Sequence, residues 1–267
     1  MIRKKVKFPK KKTHNEMISF FKDLNLEKQI NKNHSLDINL LKKSLPYPPD
    51  MSDLYRIYEF ITLNKRTTIL EFGSGWSSLI MSLALGENLK KHKNDIKDLR
   101  RNNPFELFVV DNENKYLSVS KKRIQDYKKI NKNKILSKVN WLFSEVSMTL
   151  FEGRFATEYK TLPLCNPDFI YLDAPDQFNI KGKINGFNIG HNDLMPMCCD
   201  ILKIEHFLVP GTIILIDGRG ANAQFLKYHF KRNWIFIYEK IFDQYVLYLD
   251  EKSIGPLNDR QLKFYKS

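Results

Sequence analysis

The chain has 267 residues, 42% hydrophobic and 13% aromatic, enough apolar material for one large core, which excludes a disordered or low-complexity protein. Three cysteines, Cys165 and the adjacent Cys198 and Cys199, give neither a disulfide framework nor a metal-ligand spacing, so a reduced, soluble, cytoplasmic protein is expected. No apolar stretch approaches the length of a membrane span or of a signal peptide, and the net charge of +14 keeps an anionic partner such as nucleic acid open.

Residues 1–14 form a basic tail with seven Lys or Arg in the first twelve positions, and basic residues crowd again at Lys90–Arg101 and Lys121–Lys138. Residues 15–41 show helical spacing in places (Met17, Phe20, Phe21, Leu24), and Pro46, Pro48 and Pro49 interrupt the chain. A helix is predicted from Asp50 to Leu63, with Leu54, Ile57, Tyr58 and Ile61 on one face. Residues 1–49 thus read as a basic tail and helical cap.

Thr68 to Phe72 reads as a buried strand, followed by a turn containing Gly73 and Gly75 and a helix from about Ser77 to Leu89. Glycines suit a turn that must bend sharply and let a ligand approach the main chain. The amides opening the next helix would face that ligand. Glu71 stands two residues before the first glycine, where a carboxylate repels a pyrophosphate and suits an ammonium or sulfonium group. Ser78 occupies the position where a dinucleotide fingerprint wants its third glycine, which argues against NAD.

Further strands are predicted at Glu106–Asp111, Val139–Phe143, Asp168–Leu172 and Thr212–Ile216, alternating with helices at Lys115–Ile130, from Asp193 or Pro196 to Phe207, and Ala221–Phe230. Trp234–Lys240 and Gln244–Asp250 alternate as an antiparallel pair, and 251–267 reads as a polar tail. Ligands bind beyond the carboxyl ends of parallel strands, so Glu71, Asp111, Asp173 and Asp217 mark one candidate rim. The Gly- and Asn-rich loop 178–192 could cover it, with His191 as a candidate base.

The pattern E-x-G-x-G-x-S at Glu71–Ser77 resembles the first motif of class I S-adenosylmethionine-dependent methyltransferases, with Ser77 where that family usually has glycine. The ordered series of motifs extends the resemblance over about residues 50 to 250. It implies a doubly wound α/β sheet, Rossmann-like, of about seven strands with the last antiparallel. It also implies that Glu71, Gly73, Ser74, Gly75 and Ser77 hold the aminocarboxypropyl end of S-adenosylmethionine. Asp111 would take the ribose, with Glu113 as the alternative, and Glu145 would lie on the adenine side.

Asp173, Asp217 and His191 are the candidate catalytic residues, and Arg219 and Asp176 the candidate substrate contacts. Asp173 and Asp217 also half match the acidic pair of the metal-dependent O-methyltransferases, so a divalent ion is open. The chain has Asp173-Ala174-Pro175-Asp176 where amino-methyltransferases carry [DN]-P-P-[YF], and Leu164 precedes Cys165 where a cytosine-carbon enzyme needs Pro-Cys. Nucleic-acid methylation is therefore not favoured. The segments Y-L-D-A-P-D and I-D-G-R-G-A-N-A-Q-F-L-K resemble bacterial or phage methyltransferase-like proteins, some encoded near saccharide-modifying genes. That implies a small-molecule or saccharide hydroxyl as acceptor. The alternative is a catalytically inactive relative that holds RNA or another anion on its basic surface.

Overall fold

The computed structural model describes residues 5–30, 48–99 and 101–267. The part of the expected cap between residues 31 and 47, Pro46 included, lies outside the described residues. Ten strands are present among them: β1 (Thr68–Phe72), β2 (Glu106–Asp111), β3 (Lys138–Phe143), β4 (Val146–Phe151), β5 (Arg154–Tyr159), β6 (Phe169–Leu172), β7 (Ile180–Lys181), β8 (Ile213–Asp217), β9 (Trp234–Glu239) and β10 (Gln244–Leu249). The helices are α1 (His14–Asp23), α2 (Glu27–Ile30), α3 (Met51–Leu63), α4 (Trp76–His92), α5 (Asn114–Ile130), α6 (Asp200–Ile204), α7 (Gly220–His229) and α8 (Pro256–Lys266).

Seven strands form the main sheet in the order β3-β2-β1-β6-β8-β10-β9. The first five of these run parallel, and β10 is antiparallel to both β8 and β9. This is the doubly wound sheet with a reversed strand near one edge that the motif series implied. Strand order reverses at β1, so the crevice beyond β1 and β6 is the topological switch point.

The central strands are apolar on both faces because helices cover both. Ile69, Leu107, Val109 and Tyr171 point into a core shared with α3, α4 and α5. Leu70, Phe72, Val110 and Leu172 point into the opposite core, with Ile201 of α6 and Leu226 of α7. Each buried side chain of this size contributes about 1.5–3 kcal/mol through removal from water. α1 joins the first core through Phe21, while Phe20 meets Tyr55 and Tyr58 of α3 edge-on.

Three segments depart from the sequence reading. The stretch after β3 builds a second sheet, ordered β5-β4-β7, whose hairpin turns through Glu152 and Gly153, both at positive φ. The predicted helix from residue 193 or 196 begins only at Asp200, because Thr157 of β5 exchanges backbone hydrogen bonds with Met197 and Cys199. The supposed polar tail contains α8, which buries Phe264 and Tyr265 against Ile96, Leu99 and Phe105.

α8 also completes a latch at the amino ends of the parallel strands. Asp168, fully buried just before β6, accepts from Thr67, Thr68 and the Tyr265 hydroxyl and pairs with Arg101 at 2.6 Å. Arg66, also buried, donates to the carbonyls of Asp168 and Gly211.

Candidate functional site

Four carboxylates stand at the carboxyl ends of β1, β2, β6 and β8, the rim on which the sequence placed them. Glu71 is wholly buried in the last turn of β1. Its Oε1 accepts from the Ser77 hydroxyl at 2.5 Å, while its Oε2 is buried without any hydrogen-bond partner. Burial pushes the carboxyl up to about 8, opposed chiefly by the Ser77 hydroxyl. An ionised glutamate with one bare oxygen is costly in such a place. A cationic group delivered to Oε2 would remove that cost.

The turn after Glu71 is shaped for close approach. Gly73 lies at φ +100°, and a Cβ there would sit 3.1 Å from the Asp173 carbonyl oxygen and 3.2 Å from the Ala174 methyl group. The ends of β1 and β6 thus meet at a position only glycine fills without strain. Gly75 starts α4, its amide bonded to the Ser78 hydroxyl at 3.3 Å. Ser74 and Ser77 are partly exposed and Ser78 is buried.

Ser74 crosses from this turn to β2, its hydroxyl donating to Asp111 Oδ2 at 2.6 Å. Asp111 Oδ1 accepts the Glu113 amide at 2.9 Å. Burial pushes Asp111 up to about 7. Each of its oxygens retains further lone-pair capacity. Glu113 instead caps α5 through the Lys115 amide and takes a hydrogen bond from Asn179, which occupies the alternative ribose carboxylate structurally.

Asn112 ties this end of β2 to the loop after β6, bonding the backbone of Asp176 in both directions. The Asp176 carboxylate accepts from the Phe178 amide and the Asn179 side chain, so it holds its own loop. Glu145 is exposed and lines a cleft of about 410 Å³ beside the smaller sheet, with Lys160, Lys181 and Lys203. His191 sits in the loop after β7, its side chain 65% exposed and its Nδ1 accepting from the Asp193 amide, with no hydrogen bond to any of the four rim carboxylates.

The β6 and β8 ends carry the other half of the rim. Arg219 bonds Asp173 Oδ1 at 3.2 Å through Nε and the Asp173 carbonyl at 2.9 Å through Nη2, and reaches the Pro175 carbonyl as well. The guanidinium expected to hold an anionic substrate is thus engaged with Asp173 and the Ala174–Pro175 loop. Asp217 accepts from the Tyr171 hydroxyl at 2.8 Å and from the Gln244 amide at 3.1 Å.

Sequence reasoning missed what lies beyond Asp217. The same Gln244 amide donates to Asp53 of α3 at 3.2 Å, and its carbonyl oxygen accepts from Arg56 at 2.8 Å. Arg56 is buried, paired with Glu239 and stacked 3.7 Å from the Phe242 ring centre. One glutamine therefore couples a cap-side carboxylate to a sheet-end carboxylate. Burial, then the neighbouring Asp217 charge, pushes Asp53 up to about 8, and burial with Asp173 pushes Asp217 up to about 6. No short-range spacing links residues 53, 217 and 244; only the apolar period of the 50–63 helix pointed toward this rim.

Among the described residues, no three His, Cys, Asp or Glu side chains are grouped to hold a metal ion. Asp173 Oδ1 is bonded to Arg219, and the two Asp217 oxygens accept from Tyr171 and Gln244.

No protein-family model matches the sequence, and no curated protein sequence matches it. Solved structures do resemble it. The methyltransferase PaMTH1 of Podospora anserina, bound to S-adenosylhomocysteine, is 14% identical, covering 91% of this chain and 100% of its own, with a TM-score of 0.41. The O-methyltransferase TomG of Streptomyces achromogenes, bound to S-adenosylmethionine, is 12% identical over 90% of this chain and 100% of its own, with a TM-score of 0.42. An O-methyltransferase of Bacillus cereus in complex with S-adenosylhomocysteine is 12% identical over 94% and 95%, with a TM-score of 0.38.

Proposed function

We propose that the protein is an S-adenosylmethionine-dependent methyltransferase acting on a hydroxyl of a small-molecule or saccharide acceptor. The observation that carries the reading is Glu71, a buried carboxylate whose Oε2 has no partner, placed before a turn that admits no Cβ at Gly73. An ammonium group at Oε2 satisfies that oxygen. The first amides of α4 would suit the carboxylate of the same ligand, and Asp111 offers lone pairs to a ribose.

When bound, the cofactor supplies a methyl group on a sulfonium. The residues of this chain then have to position an acceptor and manage its proton. Asp217 and Asp53 share the Gln244 amide donor, and burial together with neighbouring carboxylates raises both, so the pair readily holds a proton between them. Asp217, at the end of β8 and oriented by Tyr171 and Gln244, is the proposed base for an acceptor hydroxyl. Asp173, tied to Arg219, shapes the floor between the two ligands.

Calorimetric titration with S-adenosylmethionine and S-adenosylhomocysteine, with NAD as comparator, tests the reading. Micromolar binding of the first two, lost in Asp111→Ala, is expected. Binding of neither, or equal binding of NAD, would sink it. An acceptor screen with the Asp217→Asn variant as control then tests the base.

A further inference from the structure

The net charge of +14 sits in two blocks. Residues 1–12 hold seven basic and no acidic residues, and Asn114–Lys138 hold nine basic and one acidic. What remains carries 28 basic and 29 acidic residues, close to neutrality. A lysine-rich composition alone would have spread the excess along the chain.

The second block is one continuous surface. α5 buries Tyr116, Leu117, Ser120 and Tyr127 toward the core and turns Lys121, Lys122, Lys128 and Lys129 to solvent, with exposed Lys132 just beyond its end. At a rise of about 1.5 Å per residue this row is about 16 Å long. Among the described residues, Lys129 pairs with Asp126 at 3.6 Å and Lys138 with Glu106 at 3.2 Å, while Lys121, Lys122, Lys128 and Lys132 have no ion pair. Beside the row runs β3, an edge strand of the main sheet, with Trp141 and Phe143 on one face. Phe143 is 42% exposed, while Trp141 is half-buried, packed on one side against the main core, with Lys121 Nζ 5.9 Å from its ring centre. Behind the row, Arg123 stacks 4.3 Å from the Trp76 ring centre and keeps one buried guanidinium nitrogen without a partner.

We propose that this face of α5 and β3 binds single-stranded nucleic acid, the lysines meeting phosphates and Trp141 and Phe143 stacking on bases. Unpaired cations in a row supply the sequence-independent attraction, and aromatic rings at an open edge require bases that are not paired. An anionic membrane fits less well. The exposed apolar residues of α5, Val119 and Ile130, stand about 16 Å apart along the helix and form no strip that could enter lipid. None of the four lysines belongs to the rim, whereas Phe143 is the register partner of Asp111 at its edge, so the lysine variants test this inference apart from the methyl-transfer reading.

Fluorescence anisotropy of the full chain with a labelled RNA of about 15 nucleotides tests it. With four lysines engaged, affinity should fall about fiftyfold between 50 and 200 mM salt. The quadruple variant Lys121→Glu, Lys122→Glu, Lys128→Glu, Lys132→Glu should lose at least tenfold while keeping its circular dichroism spectrum. Phe143→Ala, and separately Trp141→Ala, should weaken RNA and leave heparin binding unchanged, which separates base stacking from plain charge attraction. Unchanged RNA binding in the quadruple variant would overturn the proposal. So would equal loss of RNA and heparin in the aromatic variants, or stronger binding to phosphatidylserine vesicles than to RNA.

Discussion

The titration of Glu71 provides a quantitative test of the cofactor reading. The unliganded carboxyl, pushed up to about 8 by burial, holds a proton at neutral pH. A ligand ammonium at Oε2 requires the ionised form, so binding must expel that proton. The apparent dissociation constant is then raised by the protonated fraction, about elevenfold at pH 7 and about a hundredfold at pH 6, relative to a plateau above pH 8. Calorimetry with S-adenosylhomocysteine from pH 6 to pH 9, in two buffers of different ionisation enthalpy, reads both the slope and the proton released. Glu71→Gln should remove the part of the slope and of the proton release that lies above pH 7, where Asp111 is already ionised, and should weaken binding on the plateau by about 1.5–3 kcal/mol, the worth of a hydrogen bond to a charged group. A flat affinity in the parent protein, or an identical slope in the variant, would refute the reasoning.

Gly73→Ala should cost about 1–3 kcal/mol in urea denaturation, from its φ of +100° and the crowding at Asp173 and Ala174, and should lower S-adenosylhomocysteine affinity at least tenfold; an unaffected variant would disprove the close approach. Asp168→Asn leaves Arg101 and Arg66 without their buried counter-charge and should destabilise by about 3–5 kcal/mol in the same assay. Stability should also depend on pH in a definite direction. Glu71 and Asp53 are raised to about 8 and Asp111 to about 7, so the native state binds more protons than the unfolded chain from about pH 4 upward. Their contribution is complete below the unfolded values and is lost as pH rises through 7 and 8. Scanning calorimetry of the ligand-free protein should show Tm falling from pH 6 to pH 9, and a rise over that range would contradict it. Asp168, held below the usual carboxylate range chiefly by Arg101 and Arg66 against its burial, acts oppositely and weakens the fold at the acid end.

Much of the main sheet could be read from the sequence because its strands are short apolar runs, and β1, β2, β6 and β8 end beside an acidic residue at the rim. Glu71, Asp111, Asp173 and Asp217 are therefore visible as strand ends. Asp53 and Gln244 are not, since their relation is made by packing α3 across the β8–β10 end. The β4–β5 hairpin did leave a signal, alternation around a Glu152-Gly153 turn, and Pro256 after Gly255 marked a helix start. Both signals are short and set among polar residues, which mask them. The late start of α6 had no local signal, because a backbone pairing with β5 claims residues that favour a helix by spacing.

Phe21, Leu24, Leu26 and Ile30 lie in the same hydrophobic cluster as the sheet residues Ile69 and Leu107, and Tyr127 of α5 donates to the Leu24 carbonyl. The amino-terminal helices are thus keystones rather than a hinged cover. Exchanging them as a cassette to retarget the acceptor would dismantle the wall that seats α3. On the proposed reading, changes of preference have to be written residue by residue, starting from the first turn of α3, where Asp53 meets Gln244.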